Sequence, residues 1–186
     1  EDPYKGMASL IESTTADGVV LDTRGKSSFK LQHAADSVKE GVIMYSEGMA
    51  IPKDMPGIVS GRVHNAIVMS SPLNLKKLIK PEFPLFRVVQ RNDERIHREV
   101  AISCFNGYGT EINAFAPGRP DWIEEEYGYL GRTTMILREN SSVFLNKQWT
   151  PLINSTQDSI WVNEWTEEEK TIYTVLSFNP RGFDGA

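Results

Sequence analysis

Two carboxylates end apolar runs in the first fifty residues. VVLDTRG (residues 19–25) runs out at Asp22 and IMYSEGMA (residues 43–50) at Glu47, and small or glycine residues follow both. In parallel α/β sheets, ligands bind beyond the carboxyl ends of the strands. Neighbouring strands lie about 4.8 Å apart. Acids that end successive strands therefore stand on one rim, within reach of the roughly 5–9.5 Å separation used to break a glycosidic bond. That reaction needs one acid ionised, to attack or to activate water, and one protonated, to release the leaving oxygen. The competing role for each acid is structural, as the cap of a following helix or the partner of an arginine. Arg24 stands two residues after Asp22, and Arg62 is available to Glu47.

Further polar groups gather where strand-like runs give way to loops. GRVHNA brings Arg62, His64 and Asn65, and FNGYGTEIN brings Asn106, Tyr108 and Glu111. With Arg24, the residues Arg62, His64, Asn65, Asn106 and Tyr108 form the candidate substrate-binding set. Aromatic faces pair with the C–H faces of pyranosides, which would suit Tyr108; the alternative is packing beneath its loop. His33 and His97 read as surface residues, and Cys104 in VAISCF as a buried, inert thiol.

The elements that must position these groups alternate. Residues 3–16 read as a helix with Pro3 in its first turn and Met7, Leu10 and Ile11 at helical spacing. GVVLD is a short apolar strand of the kind buried on both faces. Residues 27–40 read as a helix with Phe29, Ala34, Ala35 and Val38 inward, closed by Gly41, and GVIMYSE is the next strand. The order α-β-α-β marks parallel α/β architecture. LFRVVQ is a third strand candidate. PDWIEEEYGYLGRTTMILREN is a helix whose apolar stripe is Ile123, Tyr127, Leu130, Thr134 and Leu137. After Asn140 the period becomes two, and SIWVNEWTEEEKTIYTVLSFN spells a β-hairpin with Trp161, Asn163 and Trp165 on one face. The change places a domain boundary near residue 143.

Composition narrows the function classes. A net charge of -5 argues against nucleic acid, which requires a basic footprint. No apolar run approaches the roughly 18 residues needed to span a membrane. The single cysteine excludes disulfides within the chain. No metal-ligand spacing, Walker loop or dinucleotide fingerprint is present, so no cofactor is expected. Y-S-E-G lacks the serine-hydrolase elbow. Starting without Met in a helix and stopping just after a strand, the chain reads as a piece of something longer or a processed product.

LDTRG, MYSEGMA, GRVH, the FNGYG loop and the helix running into a β-hairpin together resemble the final strands of bacterial β/α-barrel glycoside hydrolases followed by a C-terminal β-sandwich. The resemblance covers residues 1–178. It implies a partial (β/α)8 (TIM) barrel, its C-terminal half, over 1–142, and antiparallel β-sandwich strands over 143–186. It implies Asp22 as nucleophile or base, Glu47 as general acid, an oligosaccharide or polysaccharide substrate and, for a polysaccharide-degrading enzyme, a secreted or periplasmic place. Amylase-type barrels carry an arginine two residues before that Asp; here Val20 holds the place and Arg24 follows. A complete barrel has eight β/α units; this chain supplies about four, so the remainder is expected from another segment or chain. The rival expectation is a non-catalytic carbohydrate-binding or assembly domain, with Trp161 and Trp165 as its stacking platform.

Overall fold

In the computed structural model, whose described residues are 2–22, 29–47, 55–64, 73, 77–90, 96–113, 118 and 121–184, Asp2 opens the first helix. Its carboxylate accepts the Tyr4 amide at 3.0 Å, and Pro3 occupies the first turn, where its missing N–H costs nothing. This helix, α1 (Pro3–Thr14), buries Met7 and Ile11, while Leu10 stays 45% exposed. The chain forms two compact units: Glu1–His64 with Phe83–Leu85, and Asn65–Glu82 with Phe86–Ala186.

In the first unit, β1 (Gly18–Leu21), β2 (Ile43–Ser46) and β3 (Ser60–His64) pair in parallel, with Leu21 opposite Ser46 and Ser46 opposite Gly61. The intervening helix α2 (Phe29–Asp36) stops four residues short of the expected end at 40, and residues 27 and 28 lie outside the described residues. Its end is fixed by Asp36, whose Oδ1 accepts from Gln32 Nε2 and from the Gly41 amide, both at 3.1 Å. Gly41 adopts φ +81, the left-handed conformation that glycine tolerates. Ala35 is fully buried as expected, but Phe29 (59% exposed) and Val38 face out. The strands also correct the expectation of burial on both faces. Met44 and Ser46 are fully buried, whereas Val20 and Ile43, on the alternate positions, are more than half exposed. This is the period-two pattern of a sheet covered on one side among the described residues.

The second unit is built on a β-α-β crossover. β4 (Leu85–Gln90) pairs in parallel with β5 (Gly109–Asn113), Phe86 opposite Gly109, and α3 (His97–Phe105) connects them. Next come α4 (Ile123–Glu139), α5 (Ser141–Leu145) and an antiparallel meander of β6 (Trp149–Thr150), β7 (Ile160–Glu167) and β8 (Lys170–Ser177). The expected hairpin is present, with Trp161, Asn163 and Trp165 opposite Leu176, Thr174 and Ile172. Helices α3, α4 and α5 and the hairpin lie in one compact unit, so the change of period near residue 143 does not coincide with a boundary between units.

Polar groups tie α3 to the hairpin. The Phe105 carbonyl at the end of α3 accepts from Asn163 Nδ2 at 3.0 Å and Thr174 Oγ1 at 2.7 Å, and Thr174 Oγ1 accepts from Trp165 Nε1 at 3.0 Å. A helix end leaves carbonyls without intrahelical partners; Asn163 and Thr174 supply donors to this one from across the core. Gly107, at φ +67, lets the chain turn there: a Cβ would lie 2.9 Å from Phe144 Cδ1 and 3.1 Å from Trp165 Cη2.

Lys77 is a buried cation of this unit. It is 3% exposed, donates to the carbonyls of Pro81 and Phe144 at 2.6 Å each, and lies 5.1 Å from the Trp165 ring centroid. Burial pushes its pKa down from 10.5 to about 8, against the opposing pull of the Glu82 carboxylate. Between those values the unfolded chain holds a proton that the folded chain has released, so stability rises with pH across that window. The span corresponds to about 3 kcal/mol. Urea unfolding is expected to show wild type gaining stability from neutral pH to above pH 10 relative to Lys77→Met, which carries no such charge.

Candidate functional site

Asp22 follows β1 directly and Glu47 follows β2 directly. Because Leu21 is opposite Ser46, and Ser46 opposite Gly61, Asp22, Glu47 and Arg62 occupy one row, which is the carboxyl end of β1 and β2 and the middle of β3. The Glu47 amide donates to the Leu21 carbonyl at 3.1 Å, carrying the strand pairing through to the acid itself. Asp22 is exposed; Glu47 and Arg62 are half-buried.

Arg62 holds Glu47. Its Nη1 donates to Glu47 Oε1 at 3.2 Å, and its guanidinium lies 5.8 Å from the Tyr45 ring centroid. β3 thus supplies a cation to the acid at the end of β2, one register step away. The pairing that competes with a catalytic role for Glu47, the one with Arg62, forms. A carboxylate bonded to a guanidinium is suited to attack, to activation of water or to balancing positive charge rather than to giving up a proton.

His64 is the last residue of β3, two positions beyond Arg62. Arg24 and Asn65 lie outside the described residues. Asn106 and Tyr108 belong to the second unit. Asn106 is fully buried, its Nδ2 donating to the Ile102 carbonyl at 2.9 Å, so it caps α3 from within. Tyr108 is 8% exposed, which leaves no open ring face for stacking. Trp165 is likewise fully buried, stacked on Trp149 with centroids 5.3 Å apart, which removes it from any flat ligand platform. Trp161 is half-buried against Leu73, Ile102, Phe105 and Leu176. A hollow of about 760 Å³ on α4, lined in part by Tyr127, Leu130, Met135 and Arg138, contains none of the candidate catalytic or substrate-binding residues.

One titratable pair escaped the sequence reading. The inward stripe of α4 is Ile123, Glu126 and Thr133, all buried, with Leu130 and Leu137 half-buried; Tyr127 is 42% exposed and Thr134 half-buried. Of the expected stripe, Ile123 is buried and Leu130, Thr134 and Leu137 are half-buried, while Tyr127 faces out. Steps of i+3 from Ile123 and Leu130 land on the buried Glu126 and Thr133. Glu126 is fully buried, and His97 Nδ1 stands 3.5 Å from its Oε2.

No protein-family model matches the sequence, and no curated protein matches it. The fold has a solved counterpart. A structure described as a cyclomaltodextrinase superposes with a TM-score of 0.52 at 11% sequence identity, over 94% of this chain and 39% of that chain. The likeness is one of fold, distant and glycosidase-like, and this chain spans well under half of its counterpart. The architecture is mixed α/β, with parallel strands in both units and an antiparallel sheet in the second. No helix among the described residues is long and apolar enough to cross a membrane.

Proposed function

We propose that the chain is part of a glycoside hydrolase, with Asp22 and Glu47 as its carboxylate pair and an oligosaccharide or polysaccharide as substrate. The observation that carries the proposal is the shared row: acids at the same register position on adjacent parallel strands, both at the carboxyl ends. A fold likeness to a cyclomaltodextrinase supports the reaction class. In this reading residues 1–142 are the C-terminal part of a (β/α)8 barrel and 143–186 open a β-sandwich, with the remaining barrel units supplied by another segment or chain.

Within the pair, the Arg62 contact favours Glu47 as the ionised partner, nucleophile or base, and leaves proton donation to Asp22. That reverses the roles implied by the resemblance in sequence. Arg62 positions Glu47; Arg24, His64 and Asn65 are candidates for holding the sugar, while the burial of Asn106 and Tyr108 removes those two. The test is release of reducing ends from a panel of α- and β-linked oligosaccharides by the complete protein. Activity in wild type that is lost in both Asp22→Asn and Glu47→Gln is the expected result. Full activity in either variant would remove that acid from the chemistry.

A further inference from the structure

The connection from β6 to β7, residues 151–159, is largely exposed yet tied down at several points. The Leu152 amide donates to Oδ1 of fully buried Asn163 at 3.1 Å, and the Ile153 amide donates to the Val162 carbonyl at 3.0 Å. The Gln157 carbonyl accepts from the Ile160 amide at 3.1 Å and from Ser155 Oγ at 3.3 Å. Leu152 is held at φ +50, a left-handed conformation that costs a residue with a side chain. A loop fixed by a buried amide presents its outward side chains in one arrangement, and loops held this way on a rigid scaffold are where binding groups concentrate.

Two hollows lie between this loop and the start of β7. One, of about 240 Å³, is lined in part by Asn154, Gln157, Asp158 and the half-buried Trp161. The other, of about 360 Å³, shares Asn154 and Gln157 and continues onto Val175 and Phe183, which are 60% and 47% exposed. The shared walls make them one groove with a polar end and an apolar end. Among the described residues, no lysine, arginine or histidine lines either hollow. The side chains of Asn154, Gln157 and Asp158 make no hydrogen bond or ion pair among the described residues, so their donors and acceptors are open to a ligand.

We propose that this groove is a second carbohydrate-binding site, built on the second unit alone, that takes two or more sugar rings of an oligosaccharide or polysaccharide. For its ligand class the inference rests on the glycoside-hydrolase reading; for its location it rests on the lining. A neutral sugar carries adjacent hydroxyls that both donate and accept, and a face of C–H groups. The Asp158 carboxylate accepts from neighbouring hydroxyls, and the amides of Asn154 and Gln157 donate and accept. The Trp161 indole supplies an aromatic surface for the C–H face at the polar end, and Phe183 supplies one at the apolar end. A phosphate or carboxylate ligand would call for a cation, which the described lining lacks.

Titration of the full chain with maltohexaose, cellohexaose, xylohexaose and mannohexaose tests the site. The Glu47→Gln variant is used so that no probe is consumed. The readout is the set of indole N–H signals from the four tryptophans in ¹⁵N-labelled protein. The Trp161 signal, assigned by its loss in Trp161→Phe, is expected to move saturably with at least one probe. Asp158→Ala, at an exposed loop position, is expected to weaken that binding by about tenfold or more while leaving the unfolding midpoint in place.

A Trp161 signal that stays still with every probe at about 10 mM, tenfold above a millimolar Kd, would overturn the site. Binding of equal strength in Asp158→Ala would overturn it as well, because the ligand would then lie elsewhere. The result is read apart from catalysis. Movement of the Trp161 signal in a protein whose wild type releases no reducing ends would keep the groove and remove the glycoside-hydrolase reading. Hydrolysis by wild type with no movement of that signal would remove the groove alone.

Discussion

Glu47→Gln is expected to lower turnover by roughly a thousandfold or more, with little change in unfolding midpoint. Acid–base side chains contribute about 10²–10⁴-fold to rate, and loss of a nucleophile falls at or above the upper end of that range. The amide keeps a carbonyl oxygen where Arg62 now finds Oε1 at 3.2 Å, so the contact survives without its charge. Because the pair is half-buried and not deeply enclosed, weakening it costs about 1 kcal/mol or less. A small anion such as azide fits the space that Glu47→Ala opens and is expected to restore part of that variant's activity if Glu47 attacks or activates water. Asp22→Asn, in the proton-donor role, is instead expected to retain activity on substrates whose leaving group needs no protonation, such as nitrophenyl glycosides. Azide rescue of Asp22→Ala and not of Glu47→Ala would restore the opposite assignment.

Trp165→Ala carries the largest expected structural effect, a loss of about 3–5 kcal/mol. The indole is fully buried, stacks on Trp149, meets Phe144 edge-on at 5.2 Å and donates to Thr174 Oγ1. It also walls one side of Lys77, whose ammonium would face a cavity once the ring is gone. Chemical denaturation should show the drop. A variant that unfolded near the wild-type midpoint would contradict the packing described. Loss of sugar binding in Trp165→Ala would therefore report unfolding and could not support a ligand platform; half-buried Trp161 is the residue to change for that purpose.

The sequence was most informative where a local rule is strong. Asp2-Pro3 with Met7 and Ile11 defined α1, and alternation through IWVNEW and TIYTVL defined β7 and β8 with the correct inward face. It was less informative where a helix end depends on a distant donor or acceptor. α2 stops at Asp36 because that side chain serves Gly41, a contact that residue spacing does not advertise. Asn106 looked available in a glycine-containing loop, yet its amide is directed back onto α3, and the neighbouring Phe105 carbonyl is taken by Asn163 and Thr174 from well over fifty residues away.

By itself, then, the sequence determined α1, β1, β2, β4, α4 and the β7–β8 hairpin, and that Asp22 and Glu47 end two successive strands, because periodicity and chain order are local properties. Only the tertiary structure decided that Arg62 takes Glu47 as its partner, that Trp165 and Tyr108 are enclosed, and that Glu126 meets His97 in a buried setting. Those outcomes depend on strand register and on which helix face is covered. Both are set by the free energy of packing the whole unit, to which no short stretch of residues contributes enough to fix the answer alone.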